Sequence, residues 1–413
     1  MSAVSSIELP LGAEPLAADY AGYRLTSAFQ PIVSIAHRRV VGHEALLRAS
    51  DAQGTPVGPM QVLALPADAD AEIGLDALCL RQHLRNFEHQ ARGEQWLFVN
   101  LRPASFLRGL RRGGDNAVLA TLRGCRLKPS QLVLEVTEDA VAGDDDFESS
   151  AQVARELGFL LALDDFGAGH SNFDRVWRIK PHIVKLDRSL VQHGAADAGV
   201  ARVIAQMVSL LHQCGALVVM EGIETPDEAH LALDCDVDLV QGYLFGKPAP
   251  RLHSAERLSA PLVEAWSRFG QRSSASSSAQ RERIGPYINA IGYGGGLIEA
   301  GRSLREACAS FLELPGAELC YLLDEHGVQL GTNLLAGTAR RAGPSSHYAP
   351  LRDAQQACWA RRPYFRRAIE APGKVQVTRP YLSVQGAHLC VTVSIALLHR
   401  GQRFVLCGDV AWS

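Results

Sequence analysis

Seven short apolar runs in this chain each close on a side chain that can bind a cation, a proton or a water. They are Val40 to Glu44, Trp96 to Asn100, Leu132 to Glu135, Leu160 to Asp164, Ile183 to Lys185, Leu217 to Glu221, and Asp238 to Gln241, the last just before Gly242. Runs this apolar, too short for helices, read as strands buried on both faces, and helix-like segments separate them. Strands and helices in alternation predict a parallel barrel of the (β/α)8 kind. That topology carries every polar strand end to one rim, the face on which such barrels do chemistry.

The chain has 413 residues, 47% apolar and 21% charged, with a formal net charge of −3. These values describe a globular protein with no global basic field, and they argue against a nucleic-acid polymer as partner. Nine scattered cysteines form no CxxC pair, and most lie in apolar stretches where buried free thiols are expected. The start, MSAVSSIELPLGAEPL, has neither a basic leader nor an apolar core, and no 18-residue apolar run occurs, so no membrane insertion and a cytoplasmic location are expected.

Four regions are expected: an N-terminal extension 1–22, the barrel 23–270, a linker 271–285 and a smaller α+β domain 286–413. Barrel helices are predicted at Gln61 to Gln90, Ala117 to Arg123, Phe147 to Leu157, Ala198 to Gln213, Pro226 to Leu233 and Ala255 to Phe269. The stretch RSSASSSAQ, 272–280, has little to bury and reads either as coil or as the exposed part of a helix running into Arg283. Beyond it, helices are expected at Ser303 to Leu314 and Pro350 to Ala368. Strands are expected at Leu319 to Asp324, Gln329 to Thr332, Lys374 to Ser383, His388 to Leu398 and Arg403 to Val410.

The rim residues constrain the chemistry. Glu135 lies inside LVLEVTE, where an unpaired carboxylate costs several kcal/mol, and Asp164 and Asp165 are adjacent acids at a strand end. Two unit charges about 4 Å apart at an effective dielectric near 20 interact by about 4 kcal/mol, so four or five acids on one rim require cations or protons. The donors are oxygens, from Glu44, Asn100, Glu135, Asp164, Asp165 and Glu221, which favours Mg²⁺ or Mn²⁺ over zinc, and two ions suit this many donors. Lys185, beside such a pair, can orient a water and offset developing charge, which points to metal-assisted phosphodiester hydrolysis.

The segments Phe29-Gln30-Pro31-Ile32-Val33, Glu44-Ala45-Leu46-Leu47-Arg48, Asn100, Glu135-Val136-Thr137-Glu138, Asp164-Asp165-Phe166-Gly167-Ala168-Gly169, Lys185-Leu186-Asp187, Glu221-Gly222-Ile223-Glu224-Thr225 and Gln241-Gly242-Tyr243 follow one another in this order. In order and spacing they resemble the EAL domain of cyclic-di-GMP phosphodiesterases, over roughly Tyr23 to His253. The resemblance implies a TIM-like barrel in which Glu44, Asn100, Glu135 and Asp164 hold one ion, and Asp164 bridges to a second ion held also by Asp165. It implies Glu221 as a further ligand or base, Lys185 and Gln241 as holders of the attacking water, and Asp187 as the group orienting Lys185. Gln30, Leu47 and Arg48 would meet the substrate, Arg48 at a phosphate and Gln30 at a guanine. Glu138 and Glu224 would steady the loop from Phe166 to Phe173, near a homodimer contact.

The chain departs from the family spelling at His43, Ala49, Ala168, His170 and Asn172, none of them an implied ligand. Tyr293-Gly294-Gly295-Gly296-Leu297 lacks the acids of a cyclase signature. The C-terminal region resembles PAS-like or Cache-like modules through Arg362-Pro363-Tyr364-Phe365, Arg379-Pro380-Tyr381-Leu382 and Cys407-Gly408-Asp409-Val410, and such a module would regulate or dimerise the barrel, with or without a small ligand of its own. Together these residues imply hydrolysis of cyclic-di-GMP to pGpG. The alternatives are a non-catalytic cyclic-di-GMP receptor and an unrelated metal-dependent barrel such as a lyase.

Overall fold

Eight strands close on themselves in the N-terminal part of the chain: β1 (Tyr23–Ser34), β2 (Arg39–Ser50), β3 (Trp96–Asn100), β4 (Leu132–Thr137), β5 (Leu160–Phe166), β6 (Ile183–Leu186), β7 (Leu217–Met220) and β8 (Leu239–Gln241). In this computed structural model residues 16–91, 93–110, 117–137, 145–169, 173–254, 260–337, 354–383 and 389–412 are described. Two compact units emerge, Met1–Arg272 and Ser273–Ser413.

From β2 to β8 each strand pairs in parallel with the next. Those are the seven runs read from the sequence. The eighth strand, β1, is antiparallel to both β2 and β8 and closes the barrel. A connection as short as 35–38 cannot make a parallel crossover, which needs a dozen or more residues, so β1 and β2 form a hairpin, with Arg38 at φ 54° in its turn.

The helices are α1 (Pro59–Leu63), α2 (Ala69–Gln90), α3 (Pro103–Gly109), α4 (Ala117–Gly124), α5 (Asp145–Glu156), α6 (Phe173–Ile179), α7 (Arg188–Ala196), α8 (Ala198–Gln213), α9 (Pro226–Asp234) and α10 (Ala260–Glu299). The single helix expected over Gln61 to Gln90 is two. Pro66 interrupts it, and Asp68 restarts it by accepting the Ala71 N–H at 2.8 Å. The expected linker 271–285 is helical throughout, since α10 crosses it without a break. No helix among the described residues is long and apolar enough to cross a membrane.

Inside the barrel lies an apolar layer of Ile32, Phe98, Val133, Ala162, Ile183, Val219 and Leu239, one residue from each of seven strands. A second, larger cluster fills the space between strands and helices. The inner layer places the site. Side chains alternate along a strand, so the next inward position on each parallel strand is two residues later. Those positions are Asn100, Glu135, Asp164, Lys185, Glu221 and Gln241. On β1, which runs the other way, the equivalent step is two residues back, to Gln30.

Outside the barrel, His83 of α2 is buried with its Nδ1 2.8 Å from Ser27 Oγ of β1, and Asn86 Nδ2 donates to the same hydroxyl at 3.2 Å. Burial, aided by the Arg48 cation, pushes the His83 pKa down to about 4. The unfolded chain takes up this proton below about 6.5 while the folded chain refuses it. Stability is therefore complete above pH 6.5 and declines as pH falls toward 4, by about 3 kcal/mol at full extent. Melting temperatures across pH 7.5 to 5 should fall in the wild type and fall less in His83→Gln; equal slopes would refute the assignment.

The C-terminal unit contains α11 (Leu304–Leu312), α12 (Pro363–Glu370) and strands β9 (Ala317–Asp324), β10 (Gln329–Leu335), β11 (Gln376–Val377), β12 (Tyr381–Leu382), β13 (Leu389–His399) and β14 (Gln402–Ala411). Its sheet is antiparallel in the order β10-β9-β14-β13-β11, with β12 also on β13. One sheet face is covered by Ile284 to Ile298 of α10 together with α11, the other by Tyr364, Phe365 and Ala368 of α12. The helix expected over Pro350 to Ala368 begins at Pro363, because a proline fits the first helical turn but not a helix interior. Positions 350–353 lie outside the described residues. The strand expected over Lys374 to Ser383 is two short pieces, β11 and β12. All nine cysteines are free, and six are buried.

Candidate active site at the barrel rim

Lys185 projects from β6 into the centre of the rim and is 1% exposed. Its Nζ lies 2.6 Å from Glu135 Oε1, 2.7 Å from Glu221 Oε1, 3.1 Å from Asp164 Oδ1 and 3.8 Å from Glu44 Oε2. The four acids come from β2, β4, β5 and the residue following β7. Glu44 is tied from two sides: Asn100 Nδ2 donates to its Oε1 at 2.9 Å and Gln241 Nε2 to its Oε2 at 2.7 Å. One ammonium thus faces four carboxyl groups, with a fifth beside them.

The fifth is Asp165, and its presence needs a break in strand geometry. In a regular strand adjacent side chains point to opposite faces. Between Leu163 and Phe166 the pairing of β5 with β6 shifts register, and Asp165 takes φ 56°. Carboxylate oxygens of Asp164, Asp165 and Glu221 consequently come within 4.8 Å of one another.

The electrostatics show a surplus of negative charge. Burial opposes the Lys185 charge, yet Asp164, Glu135, Glu221 and Glu44 outweigh it and hold the ammonium pKa well above the usual lysine value. Glu135 moves up too, because complete burial and its acidic neighbours outweigh Lys185. Burial raises Asp165, with Asp164 adding to the effect, and lifts Glu221 to about 8. One cation does not satisfy this cluster.

A hard divalent cation suits it. Lys185 stands at ion-pair distance from Glu135 without hydrogen-bond alignment, and both Glu135 oxygens are buried with no hydrogen-bond donor, as is Gln241 Oε1. Carboxylates and an amide oxygen, with no thiolate or imidazole among them, form the donor set of Mg²⁺, Mn²⁺ or Ca²⁺.

Other expected residues fall differently. Arg48 shares the inward side of β2 with Glu44, and its Nη1 donates to Leu47 O at 2.8 Å. The Leu47 side chain points the opposite way and is buried with Leu25, Ala49, Val62, Leu75 and Cys79, so strand alternation removes it from the substrate side. Gln30 lies opposite Glu44 across the hairpin, its Nε2 3.5 Å from Gly246 O. Asp187 is not a partner of Lys185. β6 ends at Leu186, and Asp187 caps α7, accepting the Ser189 N–H at 2.9 Å and the Ser189 hydroxyl. Glu224 pairs with Arg188 Nη2 at 3.0 Å. Glu138, His170 and Asn172 lie outside the described residues.

Sequence reasoning missed the groups that hold this rim in place. Arg188 braces Glu224, and a Cβ on Gly167, whose φ is 99°, would lie 2.1 Å from Leu190 Cδ1. Gly242 packs directly on the backbone of Ile223, in the loop that carries Glu221. A Cβ there would lie 2.0 Å from Ile223 O. The glycines after Asp165 and after Gln241 were the signals available.

Comparison with known proteins agrees with this geometry. The profile described as EAL domain matches residues 16–248. The cyclic di-GMP phosphodiesterase NbdA of Pseudomonas aeruginosa is 35% identical over 236 residues, covering 54% of this chain and 28% of that protein. The Bacillus subtilis YkuI protein, with an EAL domain, solved with substrate c-di-GMP and calcium, superposes with a TM-score of 0.77 over 94% of this chain and 96% of its own, at 20% identity, a likeness of fold. A manganese and cyclic-di-GMP complex of Klebsiella pneumoniae BlrP1 gives a TM-score of 0.50 at 29% identity, over 59% of this chain and 60% of that one. The chain spans well under half the length of the curated relatives it matches. With its ordered motifs gathered on one rim and the profile matched over more than half its length, the chain belongs to the EAL domain family.

Proposed function

We propose that the barrel hydrolyses cyclic-di-GMP to linear pGpG with two divalent ions, Mg²⁺ or Mn²⁺. The observation that carries this reading is the grouping of Glu44, Asn100, Glu135, Asp164, Asp165 and Glu221 around Lys185 and Gln241 on one rim. Glu44, Asn100, Glu135 and Asp164 would hold one ion, and Asp164, Asp165 and Glu221 the other. Such a pair polarises a phosphoryl oxygen and lowers the pKa of water at the site.

The residues of the chain supply the rest. Lys185 Nζ donates to the attacking water and aligns it, and Gln241, whose Oε1 is free to accept, holds it from the other side. Glu221 Oε1, 2.7 Å from Lys185 Nζ, accepts the proton the water loses as the water oxygen bonds to phosphorus. The P–O bond to one ribose 3′ oxygen breaks, and that oxygen takes a proton from solvent to become the free hydroxyl of pGpG. Arg48, on the same side of β2 as Glu44, pairs with a substrate phosphate, and Gln30 reads a guanine edge. The name of NbdA and the cyclic-di-GMP complex of BlrP1 support the same substrate. Homodimerisation, a cytoplasmic location and regulation by the C-terminal unit as a PAS-like or Cache-like module complete the proposal.

Purified full-length protein incubated with cyclic-di-GMP and Mg²⁺ or Mn²⁺ should yield pGpG as resolved by HPLC, and chelation should stop it. Binding of cyclic-di-GMP with no product would overturn hydrolysis in favour of a receptor.

A further inference from the structure

We propose that Lys185 is a built-in competitor of the divalent ions: its ammonium occupies the carboxylate oxygens that the ions need, and so sets the affinity of the site for them. The inference rests on the two-ion reading above and adds a role for Lys185 distinct from holding water.

An ammonium has three N–H donors and no more. Three carboxylate oxygens, on Glu135, Glu221 and Asp164, lie within 3.1 Å of Nζ, and Glu44 follows at 3.8 Å. In this arrangement the ammonium is surrounded by acids from several strands. The same carboxyl groups are the hard donors a divalent ion would take, so ammonium and ion draw on one set of acids and repel each other as like charges. Lysine suits such an exchange because its charge is compact and its four-carbon stem can withdraw the head group without moving the strand. The arrangement also gives the acids of four strands a common counterion, which holds the rim together when ions are scarce.

The test uses full-length protein stripped of ions by chelation, as wild type, Lys185→Met and Lys185→Arg, titrated calorimetrically with Mn²⁺ and with Ca²⁺. Lys185→Met should bind Mn²⁺ about tenfold more tightly or better, since a like charge beside the ions is gone. Stripped Lys185→Met should melt at a lower temperature than wild type and gain more on ion addition, while Lys185→Arg, which keeps the charge, should stay near wild type. Unchanged or weaker affinity in folded Lys185→Met would overturn the proposal.

Should Lys185→Met fail to fold without ions, the wild type decides. The chain has five lysines, and Lys185 alone among them is buried, so its ¹⁵Nζ resonance is separable in selectively labelled protein. Diamagnetic Mg²⁺ should displace that resonance, and an unmoved signal at ion saturation would overturn the competition. A wild type that binds no ion would instead refute the two-ion reading itself, and ion binding without pGpG formation would refute hydrolysis alone.

Discussion

Glu44→Ala is expected to abolish turnover of cyclic-di-GMP, with a loss of about 10³-fold or more in kcat. Glu44 accepts Asn100 Nδ2 on one oxygen and Gln241 Nε2 on the other, and stands 3.8 Å from Lys185. Removing it takes away a charge from the proposed ion site and leaves two amide donors without their acceptor. Glu44→Gln separates these effects. It preserves shape and one acceptor while deleting the charge, so it should keep near-wild-type melting behaviour and still lose activity. Steady-state rates by HPLC together with thermal melts check both variants. Wild-type turnover in either would remove Glu44 from the chemistry.

Gly242→Ala should be the most damaging substitution that alters no polar side chain. Its Cβ would lie 2.0 Å from Ile223 O, 2.3 Å from Ile223 N and 2.6 Å from Ile223 C, all backbone atoms that no rotamer change can clear. Ile223 N donates to Gln241 O at 3.1 Å, and Leu244 N donates to Ile223 O at 3.1 Å, so the loop after β7 and the turn after β8 move as one. Displacing them shifts Glu221 and Gln241 together. Overpacking of this kind costs about 3 kcal/mol. A fall in melting temperature should accompany at least a 10²-fold loss of hydrolysis, since misplacement of a catalytic group by about 1 Å has that effect. A variant with wild-type stability and rate would show that the contact can relax.

The chain itself displays its site to a reader. Glu44, Asn100, Glu135, Asp164, Lys185, Glu221 and Gln241 each end an apolar run, and the structure gathers all of them on one rim. Legibility stops where placement depends on a neighbour distant in sequence. The resemblance makes Asp187 the group orienting Lys185, but the start of α7 claims it as a cap. Leu47 reads as part of a substrate segment, but strand alternation buries it under α2. Arg188 reads as an ordinary surface cation until the loop bearing Glu224 folds beside it. The serine-rich stretch around residue 275 reads equally as coil or helix, and it lies within α10.

Hydrophobic patterning by itself determined the class of fold and the identity of the rim. A strand buried on both faces must be apolar throughout, so its first polar residue marks where the barrel opens to water. Tertiary structure decided the charge geometry. Closure by the antiparallel β1 sets Gln30 opposite Glu44. The register shift of β5 turns Asp165 to the same side as Asp164, and convergence of four strands on one ammonium leaves a surplus of carboxylates. Such surplus exists in no single segment. Coulomb energy depends on distances between side chains, and those distances are set when strands far apart in sequence become neighbours in the barrel.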